Sequence, residues 1–401
     1  MIPETLAGPP ARPKPAIALL VAMTAIGPFT MQILVPTMPA LAVALGTSYG
    51  TVQFVLTGYL LGMGLGQMIY GPLSDRYGRK PLLLGGLGLF LLGTVLAAAA
   101  PSAPLLIAAR VLQAVGGCAG MVLGRAMVRD AYPREEAASV IGVVSSAMAV
   151  APMISPLLGS FLEQWFGWRA NMLVCLLFAL PLLAAVQQRL GETLAMPVPL
   201  PGLAGLLGAY AQLVRLPAFR AYCGITTWSN SVFFAFAVGA PLVVISGMGY
   251  PAPVYAGAQM LIAVAWSAGT FTASRLVRRF GTLPMLRLGS AITLGGGALA
   301  LLVVALLPPH LLLFFAPMAV VAYGNGVTQP PAIAAAVSVR PQLAGTASGL
   351  LGALQMGFGA LMSVLAGLTE SGSGIATAIW MLVGGLGAQF CLWQARRAGA
   401  A

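Results

Sequence analysis

Residues 51–70 and 82–100 form two unbroken apolar runs of about twenty residues. The stretch that joins them, GPLSDRYGRKP at 71–81, packs one acid and three bases into a short turn: Asp75, Arg76, Arg79 and Lys80. A run of that length suits a helix crossing about 30 Å of hydrocarbon. Strands of a membrane barrel would alternate polar and apolar residues instead. A turn so charged cannot sit in hydrocarbon, so it fixes the membrane surface. With 59% hydrophobic and 7% charged residues in 401, the chain has more apolar surface than a soluble core could hide. Soluble domains carry roughly a quarter charged residues. The spacing predicts an all-α integral membrane protein.

Twelve spans are expected, at about 16–42, 51–71, 81–100, 103–125, 136–162, 167–189, 219–246, 253–276, 283–307, 310–337, 342–368 and 374–395. Sorting charge by side puts 18 of the 20 Lys and Arg in turns on the N-terminal side. Only Arg169 falls opposite, and Arg110 lies inside span 4. The positive-inside rule then expects both termini in the cytoplasm. This one-sided sorting also argues against nucleic acid as the reason for a net charge of +12. Cys118, Cys175, Cys223 and Cys391 all fall in apolar runs and read as packing residues, with no metal spacing and no disulfide framework. Residues 1–15 lead into the first span with no convincing cleavage site, so no removable signal peptide is expected.

A weaker copy of the charged turn recurs half a chain later, where Arg278-Arg279-Phe280-Gly281 lines up with Asp75-Arg76-Tyr77-Gly78. Glycine at Gly71 and Gly78 suits a sharp turn or a close approach. The Pro-rich stretch 190–218 is the one long connection, with a possible short interfacial helix from Leu203 to Leu216. The expected organisation is a six-helix half at 1–189, a linker at 190–218 and a second half at 219–401. Paired halves of this kind are the layout of a repeated transporter.

The run Gly71-Pro72-Leu73-Ser74-Asp75-Arg76-Tyr77-Gly78-Arg79-Lys80 resembles the loop signature of the major facilitator superfamily. Arg110-Val111-Leu112-Gln113-Ala114-Val115-Gly116 is similar to the span 4 signature of its drug–proton antiporters, with Ala114 where a glycine usually follows the glutamine. Gly142, Pro156 and Gly159 match the antiporter signature of span 5, while Ala151, Ser155 and Ser160 stand where glycines are usual. RAMVRDAY from Arg125 and GTASGL from Gly345 resemble the Bcr/CflA branch of drug-resistance exporters. That branch usually carries an Asp in span 1, where this chain has Gln32 before Val35-Pro36. All eight acids map to ends or turns. The resemblance implies a twelve-helix fold of two pseudo-symmetric halves and export of small drug-like molecules from a bacterial inner membrane. It also implies protons as the driving ion and a monomer in the bilayer.

Two readings stand for each singled-out group. Asp75 either caps the start of span 3 or forms a latch between the halves, pairing with Arg129 or Arg125 while Asp130 pairs with Arg79 or Arg76. Arg110, about two turns into span 4, must be paired or wetted because a bare charge there costs several kcal/mol. It either lines the central cavity with Gln32 and Gln113 or braces breaks in span 1 by donating to carbonyls. Gly142, Pro156 and Gly159 permit a bend and a tight helix contact, which is either a leak seal or ordinary packing. Pro36, Pro39 and Pro330-Pro331 suggest breaks in gating helices. Cavity candidates are Tyr59, Met148, Asn230, Phe233, Phe234, Gln259, Tyr323, Asn325 and Gln355. Each of these is equally a packing residue.

No GxxxxGK loop is present, so ATP is not expected to power the chain. No nucleophile–base pair or metal constellation is evident, and neither enzymatic activity nor a cofactor is expected. The alternatives to drug export are a metabolite or facilitative carrier without proton coupling, and a non-transporting membrane sensor.

Overall fold

The computed structural model describes residues 14–194, 196–197, 202–340 and 343–397, apart from the side chains of Leu203 and of several residues between 134 and 150. Within them the chain is helical. The helices are α1 (Ile17–Ile33), α2 (Met38–Ala44), α3 (Tyr49–Tyr77), α4 (Arg79–Ala99), α5 (Ala103–Ala131), α6 (Arg134–Phe166) and α7 (Arg169–Arg189). They continue with α8 (Leu203–Arg215), α9 (Pro217–Pro241), α10 (Ala252–Phe280), α11 (Thr282–Leu306), α12 (Leu311–Ser338), α13 (Ala344–Thr369) and α14 (Ile375–Arg397). Eleven spans are long and apolar enough to cross a membrane among the described residues, the first made of α1 and α2 together. The 33-residue α6, packed against α1, completes the bundle of twelve.

Several helices run past the expected edge of hydrocarbon. The apolar run of span 2 ends near residue 71, yet α3 continues to Tyr77. Gly71 is therefore inside a helix, and the turn belongs to Gly78 alone, at φ +97°. Helical backbone keeps its hydrogen bonds while long charged side chains reach for water, so charge does not end a helix at the interface. A glycine in the left-handed region does.

The two halves repeat at a fixed offset. Gly78, Gly86 and Gly93 recur 203 positions later as Gly281, Gly289 and Gly296. Gly281 also ends its helix at positive φ, +83°. Gly86 packs against the Gly116 carbonyl where α4 meets α5, and Gly289 against the Gly324 carbonyl where α11 meets α12. Lipid supplies no hydrophobic drive between helices, so such close backbone approach is what holds them together. A large apolar residue gains nothing by hiding there, and α7 accordingly presents Leu173, Leu177 and Leu180 outward as one helical stripe.

α1 is gripped from two sides. A Cβ at Gly120 of α5 would overlap the Met23 carbonyl, and one at Gly159 of α6 would overlap the Ile33 carbonyl. Ile33 is the last residue of α1. A short 3₁₀ turn, Val35–Thr37, carries Pro36 and separates α1 from α2. Pro36 thus marks a break, whereas Pro39 sits in the first turn of α2, where proline is favoured. The expected break at Pro330-Pro331 is absent, because α12 runs through both as one helix. Freed carbonyls at a helical proline are re-satisfied by neighbours in a membrane bundle. Pro152 and Pro156 are likewise carried inside a continuous α6. An irregularity that the sequence reading missed follows Pro241, where Leu242–Gly247 widens into a π-helical turn.

α8 coincides with the expected interfacial helix. Its Tyr210 and Leu213 are buried against Phe219, Cys223, Leu350 and Leu351, so it is fastened to the second half. The halves meet along two seams, α3 with α13 and α6 with α10. Phe234 and Val238 of α9 and Ala360 of α13 join the apolar cluster of the first half.

Candidate functional site

Two polar clusters stand out in the first half. The one at the charged end is centred on Arg79, the first residue of α4. Its Nη1 pairs with Asp75 at 2.6 Å and also donates to Ser74 Oγ, while its Nε donates to Asp130 at 2.9 Å. Asp75 is half exposed at 49%, and Asp130 is better shielded at 22%. Asp75, Arg79 and Asp130 belong to α3, α4 and α5, so the pairs tie three helices of one half and do not bridge the halves. This corrects the expected latch geometry in two respects. Asp75 turns to Arg79, one helical turn away across Gly78, and not to Arg125 or Arg129. Arg125 folds back onto its own helix, donating to the Met121 carbonyl at 3.2 Å, and Arg76 lies over the Tyr77 ring.

Asp75 does not cap α4 either. That place is taken by Glu192, which no motif or spacing had singled out. Glu192 accepts from the Arg79 and Lys80 amides at 3.0 and 3.1 Å and from the Thr193 and Leu194 amides at 2.8 Å each. Lys80 Nζ reaches back to the Gln187 carbonyl at 2.9 Å. The first amides of a helix lack internal partners and sit at its positive end, so a carboxylate is the natural occupant. The start of the linker is thereby moored to the charged turn.

The second cluster surrounds Arg110, 1% exposed in α5. Its Nη2 donates to the Thr30 carbonyl of α1 at 3.0 Å and its Nη1 to Gln113 Oε1 at 2.6 Å. Its guanidinium lies 4.1 Å from the Tyr59 ring centroid of α3. Gln113 Nε2 passes the chain on to Thr94 of α4 at 2.7 Å, and the Tyr59 hydroxyl donates to the Gly27 carbonyl at 3.0 Å. Thr30 Oγ1 lies 3.5 Å from Cys175 Sγ of α7. Arg110 therefore sits inside the first bundle, held by a carbonyl, an amide and an aromatic face. Thr30 is in the last turn of α1, where carbonyls have lost their helical partners. Gln32 is buried nearby in the same turn, 3% exposed.

The second half has a related bracing without the charge. Asn325 of α12 donates to the Ser229 carbonyl of α9 at 3.0 Å and accepts from Thr293 of α11 at 3.3 Å. One turn on, Gln329 donates to the Thr226 carbonyl at 3.1 Å and accepts from Gln355 of α13 at 3.4 Å. Each half thus ties its fourth span, α5 or α12, to a carbonyl of its first. The other cavity candidates do not converge. Tyr323 donates to Thr272 at 3.1 Å, Gln259 to Tyr255, Asn230 is half-buried, and Phe233 and Phe234 meet edge to face at 5.5 Å. Gly142 and Met148 are described only as helical backbone within α6. Pro156 is buried. Among the described residues no cluster of His, Cys, Asp and Glu could hold a metal.

Comparison with known proteins matches residues 20–364 to the Major Facilitator Superfamily. The chain is 31% identical to "Multidrug resistance protein D" of Escherichia coli over 377 residues, 92% of each chain. It is 34% identical to a "Chloramphenicol resistance protein" of Pseudomonas aeruginosa over 78% of this chain and 72% of that one. A "Bicyclomycin resistance protein homolog" of Haemophilus influenzae is 29% identical over 86% of both. In fold, the chain superposes on a D-xylose–proton symporter with a TM-score of 0.76 at 15% identity, covering 94% of this chain and 96% of the other. Two six-helix halves joined by a moored linker, with the charged turn repeated at a fixed offset, accord with that match, and the chain belongs to the Major Facilitator Superfamily.

Proposed function

We propose that this multi-pass membrane protein exports lipophilic, drug-like molecules from a bacterial cytoplasm by alternating access, as a monomer driven by inward movement of protons. The observation that carries the reading is similarity along 92% of both chains to a relative named for multidrug resistance, with relatives named for chloramphenicol and bicyclomycin resistance beside it. The excess of Lys and Arg in turns on one side supports cytoplasmic termini. A charge moving inward gains about 2.3 kcal/mol per 100 mV, enough for accumulation ratios of some tens-fold.

Gln32 favours a second reading, a carrier without proton coupling. Asp75, Asp130, Glu136, Glu163, Glu192 and Glu370 all lie at helix ends or in connections, and the buried Gln32 carries no proton. Coupling would have to use a carboxylate at a membrane face.

Liposomes holding the purified protein and a pH dye separate the readings. With an acid interior imposed, phenicols, lipophilic cations and sugars are added in turn. Collapse of the gradient by a drug, only when the carrier is present, is the expected result. Drug movement with a flat pH signal establishes the uncoupled carrier. Transport of sugars alone overturns drug export.

A further inference from the structure

Two glutamines of α3 are seated on glycines of α13, one toward each end of the α3–α13 seam. Near the charged end, Gln67 of α3 places Oε1 where a Cβ of Gly352 would stand, and its carbonyl faces Gly349. Near the opposite end, Gln53 of α3 places Oε1 where a Cβ of Gly367 would stand. Both glutamines are buried, at 5% and 2% exposure. The helices run antiparallel, so residues 14 apart on one meet residues 15 apart on the other. Between them the seam is smoother: a Cβ added at Gly64 would meet Ala353 and Met356 only at ordinary contact distance.

We propose that Gln53 and Gln67 are two gate residues, each clamping one face of the membrane by seating its side chain in a glycine notch of α13. This rests on the alternating-access reading above. When one half rocks against the other, the seam cannot open at both ends together. Opening toward the charged face withdraws Gln67 from Gly352 while Gln53 stays seated. Opening toward the opposite face withdraws Gln53 from Gly367 while Gln67 stays seated. Chemistry suits the residue type. An ionised acid would cost too much in this dry seam, and an apolar side chain would offer no oxygen to the glycine Cα–H groups. The amide nitrogens of Gln53 and Gln67 are both buried with no partner among the described residues. Each seat therefore leaves one polar group unsatisfied, which keeps the clamp releasable. Only glycine admits the seat. Any larger residue at 352 or 367 would collide with the amide.

The first test, a distance measurement, needs no substrate, so its outcome is independent of whether drugs are the cargo. Spin labels are placed at exposed Tyr77 and Phe280 for the charged face, and at exposed Phe166 and Leu306 for the opposite face. Distances are then read by double electron–electron resonance on the full-length protein. In Gln67→Ala the Tyr77–Phe280 distance distribution shifts to longer values, and in Gln53→Ala the Phe166–Leu306 distribution does. Lengthening at the same face in both variants, or no shift in either, overturns the proposal. Cysteine pairs give a second readout in case a truncation unfolds the seam. Crosslinking Gln67→Cys to Gly352→Cys, or Gln53→Cys to Gly367→Cys, stops transport, and reduction restores it. Undiminished transport through either crosslinked carrier overturns the clamp at that face.

Discussion

Arg110 holds the carbonyl of Thr30 at 3.0 Å, tying α5 to the last turn of α1 just before Pro36 breaks that helix. The geometry makes the guanidinium a brace first. Removing it by Arg110→Ala leaves the Thr30 carbonyl and Gln113 Oε1 without their donor in a dry interior, at about 1–3 kcal/mol each. The variant is expected to lose transport and to melt at lower temperature in detergent, measured together by vesicle uptake and thermal shift. Arg110→Lys keeps the charge and loses the planar fork. If the charge alone matters, Lys restores transport; a brace predicts that it does not.

The ring of contacts about Arg79 orders the two carboxylates. Asp75 is half in water, where an ion pair contributes about 0–1 kcal/mol. Asp130 is the more shielded partner, and hydrogen bonds to charged groups there contribute about 1.5–3 kcal/mol. Asp130→Asn should therefore slow turnover more than Asp75→Asn, with little change in the apparent affinity of either. Initial rates of transport over a range of substrate concentrations decide it, and a pure loss of affinity would exclude a conformational role.

Glu192 caps α4 from 113 positions away in sequence. Loss of an N-cap side chain costs about 0.5–2 kcal/mol. Glu192→Ala is expected to lower the melting temperature and to speed protease cleavage in the linker after Arg189, because the mooring of that segment goes with it. Glu192→Gln keeps one carbonyl acceptor and should fall between. A linker cleaved at the wild-type rate in Glu192→Ala would mean that Lys80 and Gln187 suffice to hold it.

The limits of the sequence are visible in these same residues. Span positions and the pseudo-repeat were legible because apolar runs of membrane length and a charged turn with a glycine are local signals, and Gly78 and Gly281 do end their helices. That Arg79 would sit between two acids was half legible: Asp130 was among its expected partners, but Asp75 was assigned elsewhere. Helical geometry across a turn glycine decides that choice, and no spacing rule gives it. Glu192 was invisible because its partners are backbone amides, which every residue has. Pro330-Pro331 misled because a proline's effect depends on whether neighbouring helices can satisfy the freed carbonyls. The cavity candidates were chosen by residue type alone, and type does not tell which face of a buried helix a side chain takes.

Gly159 offers the sharpest contrast between a glycine that is required and one that is not. A Cβ there would overlap the Ile33 carbonyl at the end of α1, where neither backbone can yield without moving the break at Pro36. At Gly85 of α4 nothing lies within 4 Å. Overpacking a tight interior typically costs about 1–3 kcal/mol, whereas replacing an open helical glycine by alanine gains up to about 1 kcal/mol. Gly159→Ala is therefore expected to destabilise the protein and reduce transport, and Gly85→Ala to leave both unchanged or slightly improved. A leak seal and a packing contact also part here. If α6 seals the carrier, proteoliposomes with Gly159→Ala should lose an imposed pH gradient faster than wild type with no drug present. If the glycine only packs α6 on α1, transport falls while the passive leak stays at the wild-type rate.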